Sequence, residues 1–185
     1  MGCDMELANL IRKIRKKLMS NEDYAKNIGV KFGKGTTFAD KDLWPTEPYL
    51  ITLGDHCRVT LGCHFFTHGG AGVARNMTPD KNFDAFGKIA VGNNVYIGSR
   101  SLIMAGVSIG DNVLIAAGSV VTKSIPSGVV VGGNPAKIIG TVEDFVKRNE
   151  KFNLGTKKLS ASEKKKYLLS LPDEKFIVKK EMPKE

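Results

Sequence analysis

Residues 91–122 read VGNNVY IGSRSL IMAGVS IGDNVL IAAGSV VT. Val91, Ile97, Ile103, Ile109, Ile115 and Val121 recur at a strict spacing of six, and a glycine or another small residue often follows. Four positions after each aliphatic come Val95, Ser101, Val107, Val113 and Ser119, which are small or β-branched. The same phase appears earlier at Leu53-Gly54, Val59-Thr60 and Phe65, and more loosely at Ile28-Gly29, Phe32-Gly33 and Phe38-Ala39.

A period of six is neither helical nor the alternation of an ordinary strand. It is the pattern of a parallel β-helix, in which each hexad supplies one short strand and one turn. The aliphatic residue points into a prism and the glycine is expected to permit the tight corner. Three hexads make a coil of about 18 residues, and successive coils stack at roughly 4.8 Å, so the aliphatics pile into one continuous core. An ordinary sandwich would show period two and irregular turns instead.

One segment breaks the register. The next phased aliphatic after Phe65 is Val91, 26 residues on. Residues 67–88, THGGAGVARNMTPDKNFDAFGK, are therefore expected to be extruded. A loop that long in a compact domain is usually functional or disordered, and solenoid insertions often mark the binding face.

Working outward, residues 1–27 form an N-terminal helical segment. It holds an amphipathic helix over 4–19 (Leu7, Leu10, Ile11, Ile14, Leu18) and a short helix over 21–27 capped by Ser20 or Asn21. The β-helix occupies 28–140, and 141–185 is a helical extension. One helix begins near Thr141 with Asp144 at its third position. A second opens on the capping box Ser160-Ala161-Ser162-Glu163, runs to about Leu171 and stops at Pro172. Phe176, Ile177 and Val178 read as a strand or as loose chain.

Composition bounds the function. The 185 residues are 42% hydrophobic, enough for a core without disulfides or metal. No apolar run reaches the roughly 18 residues of a membrane span, and no apolar stretch follows the N-terminal basic residues as in a secretory signal. Three cysteines do not make a disulfide framework, so the expected compartment is the cytoplasm. The net charge of +9 is mostly terminal: residues 21–140 hold 11 basic and 9 acidic residues, only +2. The basic run Arg12–Lys17 has no interleaved aromatic for base stacking, so it reads as a solvated helix face and no nucleic-acid partner is expected.

The array, followed by Gly-Ser-Val-Val-Thr-Lys (118–123) and Val-Gly-Gly-Asn-Pro-Ala-Lys-Ile-Ile (131–139), resembles the hexapeptide-repeat acetyltransferases. These are left-handed parallel β-helix enzymes that use acetyl-CoA. The resemblance covers roughly residues 28–140. It is nearest the sugar O-acetyltransferases of galactosides, maltose and capsular polysaccharide, the last through Trp44–Ile51 and Phe66-Thr67-His68-Gly69-Gly70. It implies a mainly β fold, acetyl transfer to a hydroxyl of a sugar or glycan precursor, and a homotrimer with sites between neighbouring prisms.

His68 is the candidate general base. It matches the family's catalytic histidine, and acetyl transfer from a thioester needs a group of near-neutral pKa to take the hydroxyl proton. Glu47 or a backbone carbonyl is expected to orient its other nitrogen. By resemblance, Ser99 and Ala117 lie along the pantetheine arm of acetyl-CoA, and Thr122, Lys123 and Lys137 near its nucleotide and phosphates, where a cation is needed. In the loop, Arg75, Asp84 and Phe86 are candidate acceptor contacts, with Asp80 beside them. Trp44 stacks on a sugar or covers the prism's open end.

No metal is expected. His56-Cys57 and Cys63-His64 invite a zinc reading, but the two cysteines sit at the small inward position of successive hexads, on different prism faces. A zinc hydratase of the γ-carbonic-anhydrase kind would need three histidines spread across a subunit interface, and His56, His64 and His68 crowd into 13 residues. An N-acetyltransferase of an amino sugar, an antibiotic acetyltransferase and a non-catalytic scaffold are also compatible with the repeat.

Overall fold

The computed structural model describes residues 17–182. The helix expected over 4–19 therefore lies outside the described residues except at its end, where residues 17 and 18 are helical. The chain divides into two compact units, 1–142 and 143–185.

In the first unit helix α1 (Asn21–Asn27) precedes the strands, and its N-cap Ser20 accepts from Asp23 N at 3.0 Å. The hexads then appear as strands of two to four residues: β1 (Lys31–Phe32), β2 (Thr37–Phe38), β3 (Ile51–Leu53), β4 (Arg58–Val59), β5 (His64–Phe65), β6 (Ile89–Val91), β7 (Tyr96–Ile97), β8 (Leu102–Ile103), β9 (Ser108–Ile109), β10 (Leu114–Ile115), β11 (Val120–Val121) and β12 (Val129–Gly132). They build three parallel faces: β1-β3-β6-β9, then β2-β4-β7-β10-β12, then β5-β8-β11. From β6 to β11 facing residues are 18 apart in sequence, as in Ala90↔Ser108, Tyr96↔Leu114 and Leu102↔Val120. This is the triangular prism the hexads require, the left-handed parallel β-helix.

The phased aliphatics are its core. Val59, Ile97, Ile103, Ile115 and Val121 are fully buried, and so are Val95, Val107, Val113, Ser101, Ser119, Cys57 and Cys63 at the small inward position. Each large aliphatic so buried contributes roughly 1.5–3 kcal/mol.

The glycines serve differently from the expectation. Those that follow the aliphatics are not the corners. A Cβ at Gly92 would lie 2.8 Å from the carbonyl carbon of Gly110, and one at Gly98 would lie 2.5 Å from Ala117 N, so these positions are glycine because the next coil stacks directly on them. The left-handed corner falls two residues later, at Asn94 (φ 54°), Arg100 (φ 62°), Gly106 (φ 81°) and Asn112 (φ 54°). Asparagine tolerates that region, and here Asn94 Nδ2 donates to Asn112 Oδ1 at 2.7 Å in the next coil.

The final coil is shorter by two residues. Ile109 faces Ile125 and Leu114 faces Val130, 16 positions apart. Strand β13 (Lys137–Thr141) then folds back antiparallel on β12, with a bulge between Val130 and Val131. Sequence alone did not suggest this return, because the apolar run 129–139 carries no hexad phase.

The segment expected as an extruded loop does leave the prism, between β5 and β6, but it contains helix α2 (Ala71–Met77), which the glycines at 69, 70 and 72 disguise. Helix α3 (Val142–Asn149) begins at the boundary between the units. The second unit contains helix α4 (Ala161–Leu169), opened by the expected Ser160–Glu163 capping box, and residues 176–182 form no strand.

Candidate active site

The chain leaves the third face at Phe65, and His68 stands at the mouth of the insertion. Two ties fix that mouth: Gly87 N donates to Thr67 O at 2.7 Å, and His68 and Phe86 form an antiparallel bridge. The Phe86 ring lies 5.2 Å from the imidazole, tilted by 54°.

Glu47 comes from one coil earlier. The stretch Trp44-Pro45-Thr46-Glu47-Pro48 is stiffened by two prolines, and Glu47 caps the 3-10 turn Pro48–Leu50. This delivers Glu47 Oε2 to 2.8 Å from His68 Nδ1, an ion-pair contact in which the ring nitrogen is buried and its N–H is not aligned for a hydrogen bond. The same oxygen accepts from Thr67 Oγ1 at 2.9 Å. Glu47's pKa is lowered. A hydrogen bond from the Thr46 side chain is the largest cause, the Thr67 hydroxyl and His68 add to it, and partial desolvation opposes them. The carboxylate is thus ionised at neutral pH. With Nδ1 turned to Glu47, Nε2 is the nitrogen left to accept a proton, and the imidazole is about one-third exposed. Sequence reasoning missed Thr46 and Thr67. Only the adjacency of a hydroxyl residue to each partner pointed to them.

A second feature lies on another edge. An open groove along the corner between the second and third faces is lined by Leu61, Gly62, Ser99, Arg100, Ala117 and Gly118. Ser99 Oγ donates to Thr60 Oγ1 at 3.1 Å, which tucks its hydroxyl against the coil below. Lys137 pairs with Gly132 at the end of the second face, at the top of this same corner. Thr122 and Lys123 are exposed too, but they follow β11 and sit at the corner between the third and first faces. That is the edge from which His68 emerges. The five expected cofactor residues therefore do not converge within one chain: Ser99, Ala117 and Lys137 share one edge, Thr122 and Lys123 another.

The expected acceptor contacts fare differently. Arg75 and Asp84 pair with each other at 3.2 Å, and Arg75 Nε donates to Phe83 O at 2.8 Å, so both charges are engaged inside the insertion. Phe86 is half exposed beside His68. Trp44 stacks on Phe65 (5.4 Å, 10°) and meets Phe38 edge-on, so it covers the core at the first coil.

Cys57 and Cys63 are buried and donate to the Gly92 and Gly98 carbonyls at 3.0 and 3.2 Å. Burial pushes both thiols up, away from the thiolate a metal would need. Among the described residues no group of three or more His, Cys, Asp or Glu side chains could hold a metal ion. No helix there is long and apolar enough to cross a membrane.

Comparison with known proteins agrees with the fold. A family model for the bacterial transferase hexapeptide (six repeats) matches residues 88–123. Protein CapG of Staphylococcus aureus is 42% identical over 167 residues, which cover 89% of this chain and 95% of that protein. Galactoside O-acetyltransferase of Escherichia coli K12 is 36% identical over 58% of this chain and 52% of that enzyme. A hexapeptide-repeat acetyltransferase from Vibrio cholerae, crystallised with acetyl coenzyme A, matches with a TM-score of 0.53 and 28% identity over 62% of this chain and 61% of that one. With a near-full-length relative and a prism of stacked hexads, the chain belongs to the hexapeptide-repeat acyltransferase family.

Proposed function

We propose that the protein moves an acetyl group from acetyl-CoA to a hydroxyl of a sugar or glycan precursor, with His68 as general base and Glu47 as its orienting partner. The observation that carries this reading is the 2.8 Å pairing of His68 Nδ1 with Glu47, which leaves Nε2 available at an open edge. The ionised carboxylate holds the Nδ1–H tautomer and favours the imidazolium that forms in the reaction.

Nε2 takes the acceptor proton as the hydroxyl oxygen attacks the thioester carbonyl. The tetrahedral intermediate collapses, the carbon–sulfur bond breaks, and the thiolate of coenzyme A leaves. The imidazolium returns its proton to that sulfur. The products are an acetyl ester and free coenzyme A.

The small residues along the groove, Ser99, Ala117 and Gly118, suit a pantetheine arm lying against backbone, and Lys137 above them suits its phosphates. His68 and this groove occupy different edges of one prism. The reading therefore assembles each site from two neighbouring copies in a homotrimer, with Thr122 and Lys123 facing the neighbour's groove. The galactoside relative supports a sugar acceptor. Acetyl-CoA supply sets the reaction in the cytoplasm.

Thiol release from acetyl-CoA across a panel of sugars, amino sugars and chloramphenicol tests the proposal. Release stimulated by a sugar lacking a free amine, and lost in His68→Ala, is the expected result. Stimulation by amines alone would overturn the O-acetyl assignment, and equal release by the variant would remove His68 from the reaction.

A further inference from the structure

We infer that Thr67 is a positioning residue of this site, the latch that holds Glu47 in register with His68. The inference rests on the reading of His68 as base, and it concerns a residue that reading does not use.

Thr67 is completely buried, and its hydroxyl donates to Glu47 Oε2 at 2.9 Å. His68 Nδ1 meets the same oxygen at 2.8 Å. One carboxylate oxygen thus receives two consecutive residues of the outgoing chain. A glutamate side chain has three rotatable torsions, Glu47 reaches this point from a different coil, and its Thr46 partner travels on the same turn, so Thr46 and the half-open imidazole contact leave it free to swing toward water. A donor fixed in the core removes that freedom. The backbone of Thr67 works in the same place: its carbonyl accepts from Gly87 N at 2.7 Å and closes the base of the insertion. Side chain and main chain therefore fix, respectively, the partner of His68 and the loop that carries Phe86 against it. Glu47 is the charged group that meets His68. Arg75 and Asp84, charged residues of the insertion, are paired with each other.

Thr67→Val keeps the shape and the carbonyl and deletes only the donor. Thr67→Ser keeps the donor. A hydrogen bond to a charged group is worth enough that kcat is expected to fall about 10- to 100-fold in Thr67→Val. KM for acetyl-CoA should stay within about twofold, because the groove lies on another edge. Thr67→Ser should recover most of the activity. In a Glu47→Gln background the Thr67→Val loss should largely vanish, which a general packing defect would not do. Nitrogen-15 shifts of the His68 ring give a readout that needs no turnover: a fixed Nδ1–H tautomer in wild type and Thr67→Ser, averaged tautomers in Thr67→Val. Ring shifts and kcat unchanged in Thr67→Val, or losses that add in the double variant, would overturn the inference. Altered ring shifts in a protein that acetylates nothing would keep the latch and dismiss the acetyl-transfer reading instead.

Discussion

His68 Nδ1 and Glu47 Oε2 stand 2.8 Å apart although they belong to different coils of the prism. The contact exists because Leu43 O accepts from Phe65 N at 3.0 Å, so the turn that follows Leu43 lies beneath the point where the chain leaves β5. Removing either partner tests different parts of it. His68→Ala should lower kcat by about 10²–10⁴ while KM for acetyl-CoA changes little, since the base acts in the transition state. Glu47→Gln should give a smaller loss. Steady-state thiol release checks both, and a Glu47→Gln loss equal to that of His68→Ala would mean the two act as a unit.

The ionised state of Glu47 sets a pH expectation. Its folded pKa is below the ordinary value of 4.5, chiefly through the Thr46 hydrogen bond. A depressed carboxyl contributes stability that is complete above its unfolded pKa and is lost as pH falls through the lowered folded value. Glu47 therefore stays charged across the working range, and its protonation should not appear on the acid limb of kcat/KM. A proton on that limb that disappears in Glu47→Gln and titrates above about pH 5 in a pH–rate profile would show that Glu47 is not held ionised.

The two classes of glycine should respond oppositely to substitution. Gly98→Ala puts a methyl 2.5 Å from Ala117 N and 2.6 Å from Ile115 O, backbone that cannot yield without parting two coils. A loss of about 3 kcal/mol or more is expected in a denaturant melt. At Gly106 an added Cβ meets no atom within 4 Å, and Gly106→Asn enters the kind of corner where Asn94 and Asn112 already adopt φ 54°. It should cost under about 1 kcal/mol.

The separation of His68 from the groove gives a mixing test. In the proposed homotrimer, Ala117→Trp should block the groove and His68→Ala should remove the base, each inactivating the protein when present alone. Co-refolded mixtures should regain activity, because some interfaces then pair an intact base with an intact groove. Recovery to no more than background would place both halves within one chain.

Much of this was legible in the sequence, for definite reasons. Val91 to Val121 repeat with no insertion, so the faces follow from counting. His68 marks the point where the count fails, and Glu47 is the acid in the stretch between Trp44 and Ile51. What could not be read depends on position around the prism. Lys123 and Lys137 look equivalent as cations in the tail of the array, yet one follows a third-face strand and the other ends the second face, which only the strand pairing reveals. Arg75 and Asp84 looked available to an acceptor because their mutual ion pair is made by α2 and the turn after it, elements hidden by glycine. The roles of Thr46 and Thr67 carry no periodic signal at all.

The closing of the second face has a consequence for how such a solenoid stays finite. A stack of parallel strands is, at each end, a template for more of itself, and a row of free backbone groups invites fibre growth. At the first coil, Glu22 Oε1 accepts from Phe38 N at 3.0 Å and Asn21 Nδ2 donates to Phe38 O at 2.8 Å, so helix side chains occupy the hydrogen-bonding sites of edge strand β2. At the last, β13 runs backwards over a bulge and presents a reversed, irregular edge that no two-residue parallel strand can continue in register. Both ends of the longest sheet thus present something other than a free parallel edge to a further strand.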